Sequence, residues 1–364
     1  MTCGLKGGCY ISKSTSNISK KFQDILDGKK VDTPLVGTVT TAGILDLMDI
    51  SGACRPEADR NPEQMAKLAA SLHTDAKLEV IRIPFDVTVI GEALGCQIDP
   101  GTKARTPAVL THPFEKSPEE FEIPADLLER GRIAVVMDAI SLLKNDSGLQ
   151  VPLVAGIEGP ADLASYLCGM KLFLKLTLKK PEIAKTIIEK CIDTCIICAN
   201  AYLLSGADAV VIADALSSPK LIGPDAFRQI IKPALIRFNK SIRGHSILHI
   251  CGEVDSIIPD ILECGFSAIS IEENVKDLKY VIDYAHRNNT AIIGNISTSD
   301  TLYAKTPEDV RKEAFQCLDT NIDVLAPGCG IAPEMPLRNL LAMVKARDEY
   351  IEKMARVITL KYVV

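Results

Sequence analysis

A short apolar segment followed by a segment of helical periodicity recurs eight times, and this repeat constrains the fold more than any other feature. The apolar segments are rich in Val, Ile and Leu without polar alternation, as expected of parallel strands buried on both faces. Eight such repeats predict a closed (β/α)8 barrel, or TIM barrel; a doubly wound open sheet is the alternative, but a count of eight favours closure. The predicted strands span residues 34–40, 78–84, 151–157, 209–213, 246–250, 267–271, 290–294 and 322–326.

The chain is predicted to contain one domain preceded by an extension. Residues 1–19 are rich in Gly, Ser and Lys and include Cys3 and Cys9, which predicts a flexible tail. These two cysteines could bind a metal, but a flexible segment with two unpaired thiols is the favoured interpretation. Residues 20–364 are predicted to form a single catalytic barrel, because α/β barrels of this length fold as one unit.

Composition excludes several classes of protein. The formal net charge is -6, which gives no basis for nucleic-acid binding. No apolar run approaches the length of a membrane span, and the N-terminus lacks the apolar core of a signal peptide. We therefore expect a cytoplasmic protein with no membrane or nucleic-acid partner. In such a reducing compartment the 12 cysteines are expected to be free thiols.

One connection is unusually long. Residues 85–124 separate the second predicted strand from a predicted helix over residues 125–143. Loops of this length in a compact domain are usually functional or disordered. This one is fairly apolar, so we expect it to be ordered and to open on the face of the barrel where the strands end.

The most informative residues for chemistry follow two of the predicted strands. His249 and Cys251 lie at i and i+2, so their side chains point to the same side of the chain, and Cys329 lies between two glycines after the last strand. One imidazole and two thiols with an open fourth position are typical of a catalytic zinc site. Two thiolates neutralise Zn²⁺, which favours activation of a thiol nucleophile over polarisation of a carbonyl. The alternative is a buried histidine beside two inert thiols.

Other polar residues follow the remaining strands, at the end of the barrel where active sites form. Glu272 is a candidate catalytic residue that could occupy the open zinc position, although Glu273 could do so too, or both could cap the next helix. Asp214 is a second catalytic candidate, and Glu158 and Asn295 are candidates for substrate or cofactor binding. Strand-end acids also serve as helix caps or turn residues, so structural roles remain open for Asp214 and Glu158.

Three further cysteines have the spacing of a radical-SAM cluster motif. Cys191, Cys195 and Cys198 lie at i, i+4 and i+7 of a predicted helix over residues 181–204. Residues with this spacing share one helix face, and free cysteine is commonly a small core residue. We therefore interpret them as packing residues.

Several segments together resemble the methylcobalamin:coenzyme M methyltransferases of methanogens, in the uroporphyrinogen decarboxylase superfamily. The resemblance extends from about Lys20 to Tyr350, and the His-x-Cys…Cys set is its most specific part. The segments that carry it are residues 82–84, 131–133, 158–160, 249–252, 270–273, 294–297 and 326–331.

The resemblance implies a fold, a metal and a reaction. It implies a (β/α)8 barrel with one Zn²⁺ held by His249, Cys251 and Cys329, and with Glu272 nearby. The thiol of coenzyme M would bind the zinc, ionise, and attack the methyl group of methylcobalamin carried by a partner corrinoid protein, giving methyl-coenzyme M in methanogenesis. The superfamily's decarboxylases use an N-terminal arginine-rich stretch, whereas residues 36–49 contain no arginine. Another thiol or a tetrahydropterin as acceptor, a decarboxylase-like lyase, and a non-catalytic corrinoid- or zinc-binding module remain alternatives.

Overall fold

The computed structural model describes residues 15–146 and 148–362. Its strands are β1 (Leu35–Val36), β2 (Ile81–Ile83), β3 (Ile98–Asp99), β4 (Ala108–Val109), β5 (Leu153–Glu158), β6 (Ala209–Ala213), β7 (His245–His249), β8 (Ala268–Ile271), β9 (Ala291–Ile296) and β10 (Val324–Pro327). Eight parallel strands form one sheet in the order β1-β10-β9-β8-β7-β6-β5-β2, and β3 pairs with β4 in a separate antiparallel hairpin.

The two ends of this strand order meet and close the barrel. A parallel bridge joins Gly37 to Val80, just beyond β1 and just before β2. The Thr38 amide donates to the Val80 carbonyl at 2.9 Å, and the Glu79 amide donates to the Val36 carbonyl at 2.7 Å. A Cβ atom at Gly37 would lie 2.5 Å from Val80 Cβ, so glycine is required for this approach. The predicted (β/α)8 barrel is confirmed.

Helices cover the outside of the sheet. Local signals fix several helix starts: Asn61 accepts a hydrogen bond from the Gln64 amide, and Thr306 forms a capping box with Asp309. The α-helices are α1 (Thr15–Leu26), α2 (Leu45–Ser51), α3 (Pro62–Thr74), α4 (Val89–Ala93), α5 (Ile133–Asn145), α6 (Pro160–Cys168), α7 (Met170–Lys179), α8 (Pro181–Leu204), α9 (Pro224–Ala226), α10 (Lys232–Ser241), α11 (Ile258–Leu262), α12 (Leu278–Arg287), α13 (Pro307–Leu318) and α14 (Leu337–Tyr362). Phe227–Ile231 and Thr298–Tyr303 form π-helical turns.

The interior of the barrel is apolar at one end and polar at the other. Apolar side chains from the strands fill its N-terminal half together with Phe22, Ile25 and Leu26 of α1. Two residues further along the strands, at positions that face the same side, the interior side chains become polar. His249 follows Ile247 in this way, and Ser270 follows Ala268. The polar side chains inside the barrel therefore lie at its open C-terminal end, the mouth.

Two details differ from the sequence predictions, and one agrees with them. The helix predicted over residues 125–143 begins only at Ile133, because residues before it form a 3-10 turn and Arg132 pairs with Asp86. Helix α1 begins at Thr15, inside the predicted tail; residues 1–14, with Cys3 and Cys9, lie outside the described residues. The long connection is ordered, as expected, and contains α4 and the β3–β4 hairpin.

Across residues 15–146 and 148–362, no helix combines the length and apolar character needed to cross a membrane.

Candidate metal centre

Four side chains with metal-binding atoms converge at the barrel mouth. Their donor atoms all lie within 4.8 Å of one another, and they belong to His249, Cys251, Glu272 and Cys329. His249 Nε2 lies 3.4 Å from Cys251 Sγ and 3.7 Å from Cys329 Sγ, and the two sulfurs are 3.6 Å apart. The structure therefore brings together the three residues predicted as metal ligands and one predicted catalytic residue.

Strand ends supply each of these side chains. His249 is the last residue of β7, and Cys251 follows two residues later on the same side of the chain. Glu272 follows β8 directly, and Cys329 follows β10 by two residues. The turn that carries Cys329 is tied to the segment after the neighbouring strand β1, because Thr40 Oγ1 donates to the Cys329 carbonyl at 2.8 Å.

The spacing of the three atoms fits a tetrahedral metal ion. Zinc binds sulfur at about 2.3 Å and imidazole nitrogen at about 2.0 Å, so tetrahedral angles place such ligands about 3.5–3.8 Å apart. The distances among His249 Nε2, Cys251 Sγ and Cys329 Sγ are 3.4, 3.6 and 3.7 Å, close to the separations expected of ligands in a tetrahedral zinc site. The donor set of one imidazole, two thiols and a carboxylate also suits Zn²⁺.

Ser270 sets the orientation of His249. The two residues are register partners in the parallel pair β7–β8, so their side chains lie side by side. His249 Nδ1 lies 3.1 Å from Ser270 Oγ and 3.3 Å from the Ser270 carbonyl oxygen. A carbonyl only accepts, so this contact places the proton on Nδ1 and leaves the Nε2 lone pair directed at the two sulfurs.

The two thiols share their protons unequally. The hydrogen bond from Cys251 to the Cys329 sulfur lowers the pKa of Cys329 to about 3, with a further lowering from the nearby His249 imidazole and against the opposing effect of burial. The hydrogen bond with Cys329 and burial raise the pKa of Cys251 above its usual value, and the charge of Cys329 adds to this. The proton that Cys251 retains is one that a bound cation would displace.

The two consecutive glutamates point in different directions. Glu272 lies with the metal-binding atoms, where burial and then the charge of Cys329 raise its pKa to about 7. The Glu273 carboxylate instead accepts a hydrogen bond from Ser297 Oγ at 2.7 Å. Of the two glutamates, Glu272 is therefore the one whose carboxylate faces the metal-binding atoms.

Glu158 and Asn295 are both buried and both hold nearby backbone. Glu158 Oε1 accepts from the Ile90 and Gly91 amides at 2.8 and 3.4 Å, at the start of α4, and burial raises its pKa to about 7. Asn295 Nδ2 donates to the Glu272 carbonyl at 3.3 Å. These contacts fix the long connection and the Glu272 turn, while binding of substrate or cofactor by either residue stays a prediction.

Asp214 is fully buried and serves as a helix cap. Its carboxylate accepts from the amides of Ala161 and Asp162 at 3.1 and 2.8 Å, at the N-terminus of α6, and from Ser217 Oγ. Asp162 returns the contact by accepting from the Ala215 and Leu216 amides, both at 2.9 Å. These bonds favour the structural role left open for Asp214; its catalytic role stays a prediction.

Sequence reasoning missed Asp162 as a member of this reciprocal pair. The only local signal was its position as the third residue of α6, where an acidic residue is favourable. The pairing itself joins the turns after β5 and β6, 52 positions apart in the chain, and no local pattern predicts it.

The three cysteines of α8 are not part of the group of metal-binding side chains at the barrel mouth. Cys191, Cys195 and Cys198 are fully buried in the core between helices and sheet. Burial raises the pKa of each thiol above its usual value, so they remain protonated and unreactive. Their interpretation as packing residues agrees with this arrangement.

Comparisons with known proteins agree with the fold. The uroporphyrinogen decarboxylase (URO-D) family model matches residues 18–350. The methylcobamide:CoM methyltransferase MtaA of Methanosarcina barkeri is 44% identical over 328 residues, covering 89% of this chain and 96% of the relative. MtbA of Methanosarcina acetivorans, also named a methylcobamide:CoM methyltransferase, is 31% identical over 314 residues, covering 85% and 91%.

A solved structure gives the same result. A methyltransferase from Methanosarcina mazei is 43% identical and superposes with a TM-score of 0.88, covering 92% of this chain and 98% of that one. The chain belongs to the uroporphyrinogen decarboxylase family. Its predicted resemblance to the methyltransferases of that family is confirmed, as is the predicted enzyme class, a methyltransferase.

Proposed function

We propose that this enzyme transfers a methyl group from a methylated corrinoid protein to the thiol of coenzyme M and needs one Zn²⁺ per chain. The convergence of His249, Cys251, Cys329 and Glu272 carries the proposal, because three of their donor atoms have tetrahedral spacing. The names of the relatives, methylcobamide:CoM methyltransferases, supply the donor and the acceptor.

The residues of the chain would divide the work as follows. His249, Cys251 and Cys329 would hold the metal, and Ser270 would keep the imidazole in the tautomer that binds it. A bound zinc ion supplies stabilisation of the substrate thiolate, which is the reactive nucleophile. The sulfur of coenzyme M would form a bond to the methyl carbon as the Co–CH3 bond breaks, and the electron pair of the broken bond would stay with cobalt. The thiol proton is released on binding.

Glu272 would occupy the fourth position until the substrate arrives. Its carboxylate lies within 4.8 Å of the three other donor atoms, and it follows the strand beside the one that carries His249. Exchange of this carboxylate for the substrate sulfur would leave the three protein ligands in place. The site would thus accept a thiol without dissociating its metal.

The metal centre lies at the C-terminal mouth of the barrel, and this position suggests where the corrinoid would enter. The ordered connection over residues 85–124 leaves the barrel at the same end as the cluster, where a corrinoid on a partner protein would have to enter. Contacts of Glu158 and Asn295 with the corrinoid, and a cytoplasmic location, remain predictions.

Metal analysis and turnover test the proposal together. Protein purified without chelators is expected to contain about one zinc per chain, and removal of the zinc should abolish demethylation of methylcobalamin by coenzyme M. Return of zinc should restore it. Protein that turns over at the same rate without metal would contradict the proposal.

A panel of acceptors separates this reaction from its alternatives. Coenzyme M, 2-mercaptoethanol, homocysteine and a tetrahydropterin are compared at equal concentration with the same zinc-loaded protein. The proposal predicts that coenzyme M gives the highest kcat/KM. A tetrahydropterin that outperforms every thiol would contradict it, because the metal would then not be activating a thiol.

A further inference from the structure

The turn after β8 carries two glutamates of different function. Glu272 faces the metal-binding atoms, whereas the Glu273 carboxylate is directed to Ser297 Oγ at 2.7 Å. Ser297 begins the π-helical turn Thr298–Tyr303, whose Asp300 amide donates to the same hydroxyl at 3.2 Å. The hydroxyl therefore accepts from Asp300 and has its hydrogen available for Glu273.

Glu273 also packs against the turn that carries Cys329. A Cβ atom placed on Gly328 would lie 3.0 Å from Glu273 Oε2, 3.1 Å from Glu272 Cα and 3.4 Å from the Glu273 nitrogen. The backbone before Cys329 thus rests directly on the two glutamates. A residue with a side chain at position 328 would separate them, which is a reason for glycine there.

A third segment completes this contact. Asn295 Nδ2 donates to the Glu272 carbonyl at 3.3 Å, and the Gly328 amide donates to the Ile296 carbonyl at 2.8 Å. The Ser297 amide donates to Glu313 Oε1 at 2.7 Å, which anchors Ser297 to helix α13. The turns after β8, β9 and β10 are therefore joined into one block, and the Glu273–Ser297 hydrogen bond is its side-chain link.

We propose that Glu273 is a positioning residue that, through Ser297, holds Glu272 where it competes with the substrate thiol for the fourth metal position. The inference rests on the proposed function, since it assigns Glu272 to that position. Loss of the link would free the β8 turn, lower the occupancy of the metal by Glu272, and make binding of a thiol easier. Glu273 itself is not one of the residues whose donor atoms converge at the metal centre.

Cobalt-substituted protein provides the test, because Co²⁺ absorption reports the ligands of the metal. Each variant is loaded with Co²⁺, its thiol-free spectrum is recorded, and it is titrated with 2-mercaptoethanol and separately with coenzyme M. Glu273→Ala should shift the thiol-free spectrum toward that of Glu272→Gln. It should also lower the Kd for 2-mercaptoethanol about fivefold, a coupling of ordinary size between residues in contact.

Three variants make the result specific. Glu273→Gln keeps an oxygen that accepts from Ser297 and should stay within about twofold of the parent. Ser297→Ala removes the donor of the same hydrogen bond and should reproduce the effect of Glu273→Ala. It replaces Glu273→Ala in the test if Glu273→Ala folds poorly. Glu253→Ala is the charge control, because Glu253 lies two residues from Cys251 but pairs with Lys220 on the surface, and it should shift neither spectrum nor Kd.

The decisive comparison is made in the Glu272→Gln background. If Glu273 acts through Glu272, Glu273→Ala has no further effect on the Kd for 2-mercaptoethanol there. A fivefold effect that persists in this background, or no effect of Glu273→Ala and Ser297→Ala in the parent, would overturn the inference. Protein that binds Co²⁺ and 2-mercaptoethanol but ignores coenzyme M would refute the proposed function while this comparison still decides the role of Glu273. Protein that binds no Co²⁺ would overturn both.

Discussion

Substitution of Ser270 by alanine is predicted to weaken metal binding without removing a ligand. Ser270 Oγ, 3.1 Å from His249 Nδ1, would be lost, while the Ser270 carbonyl at 3.3 Å would remain. Loss of a partner that orients a metal-binding histidine typically costs 10- to 100-fold in affinity or activity. Because the carbonyl still accepts from Nδ1, we expect the lower end, about tenfold or ~1.4 kcal/mol of binding free energy.

Competition of the protein with a chromophoric chelator for Zn²⁺ measures this effect. Ser246→Ala is the matched control: Ser246 lies on the same strand as His249 and is equally buried, but its hydroxyl donates to Asn239 on helix α10. That variant should keep the parent's zinc affinity, even if it loses some stability. Unchanged zinc affinity in Ser270→Ala, with a folded protein, would refute the assignment of Ser270 as the residue that orients His249.

Three further predictions concern the cysteines and Glu272. Cys329→Ala should lose most zinc affinity and activity yet keep its fold, because the half-buried side chain lies in a turn outside the core; unchanged zinc content would contradict the ligand set. Glu272→Gln should keep most of its zinc and bind coenzyme M more tightly in calorimetry, and complete loss of zinc would make Glu272 an obligatory ligand. Alanine at Cys191, Cys195 or Cys198 should cost about 1 kcal/mol in chemical denaturation and leave kcat of the folded protein intact. An iron–sulfur absorption spectrum from anaerobically purified protein would overturn their interpretation as packing residues.

The barrel and its metal-binding residues could be predicted because their signals are local. Strands buried on both faces are continuously apolar, so the eight segments stand out in the sequence, and the residue that ends each strand can be identified. His249 and Cys251 share a side because of the period of a strand, and the equivalent position of Cys329 follows from the parallel arrangement. The mouth of a barrel collects such residues whatever their separation in the chain.

What could not be predicted depends on contacts between distant segments. Helix α5 begins at Ile133, after the predicted start, because Arg132 binds Asp86, which lies 46 positions away in the chain. The periodicity of apolar residues carries no information about such a distant ion pair. Asp214 has the sequence position of a catalytic acid, yet its carboxylate caps α6. The different directions of the Glu272 and Glu273 side chains depend on the hydrogen bond between Glu273 and Ser297, 24 positions away in the chain.

The number of sulfur atoms bound to zinc decides whether the metal activates the thiol. X-ray absorption at the zinc edge is recorded for the purified enzyme with and without saturating coenzyme M. Two sulfur ligands are expected in the free enzyme, from Cys251 and Cys329, and three in the complex, with one nitrogen ligand in both. A count that stays at two when coenzyme M is bound would contradict activation of the thiol by the metal.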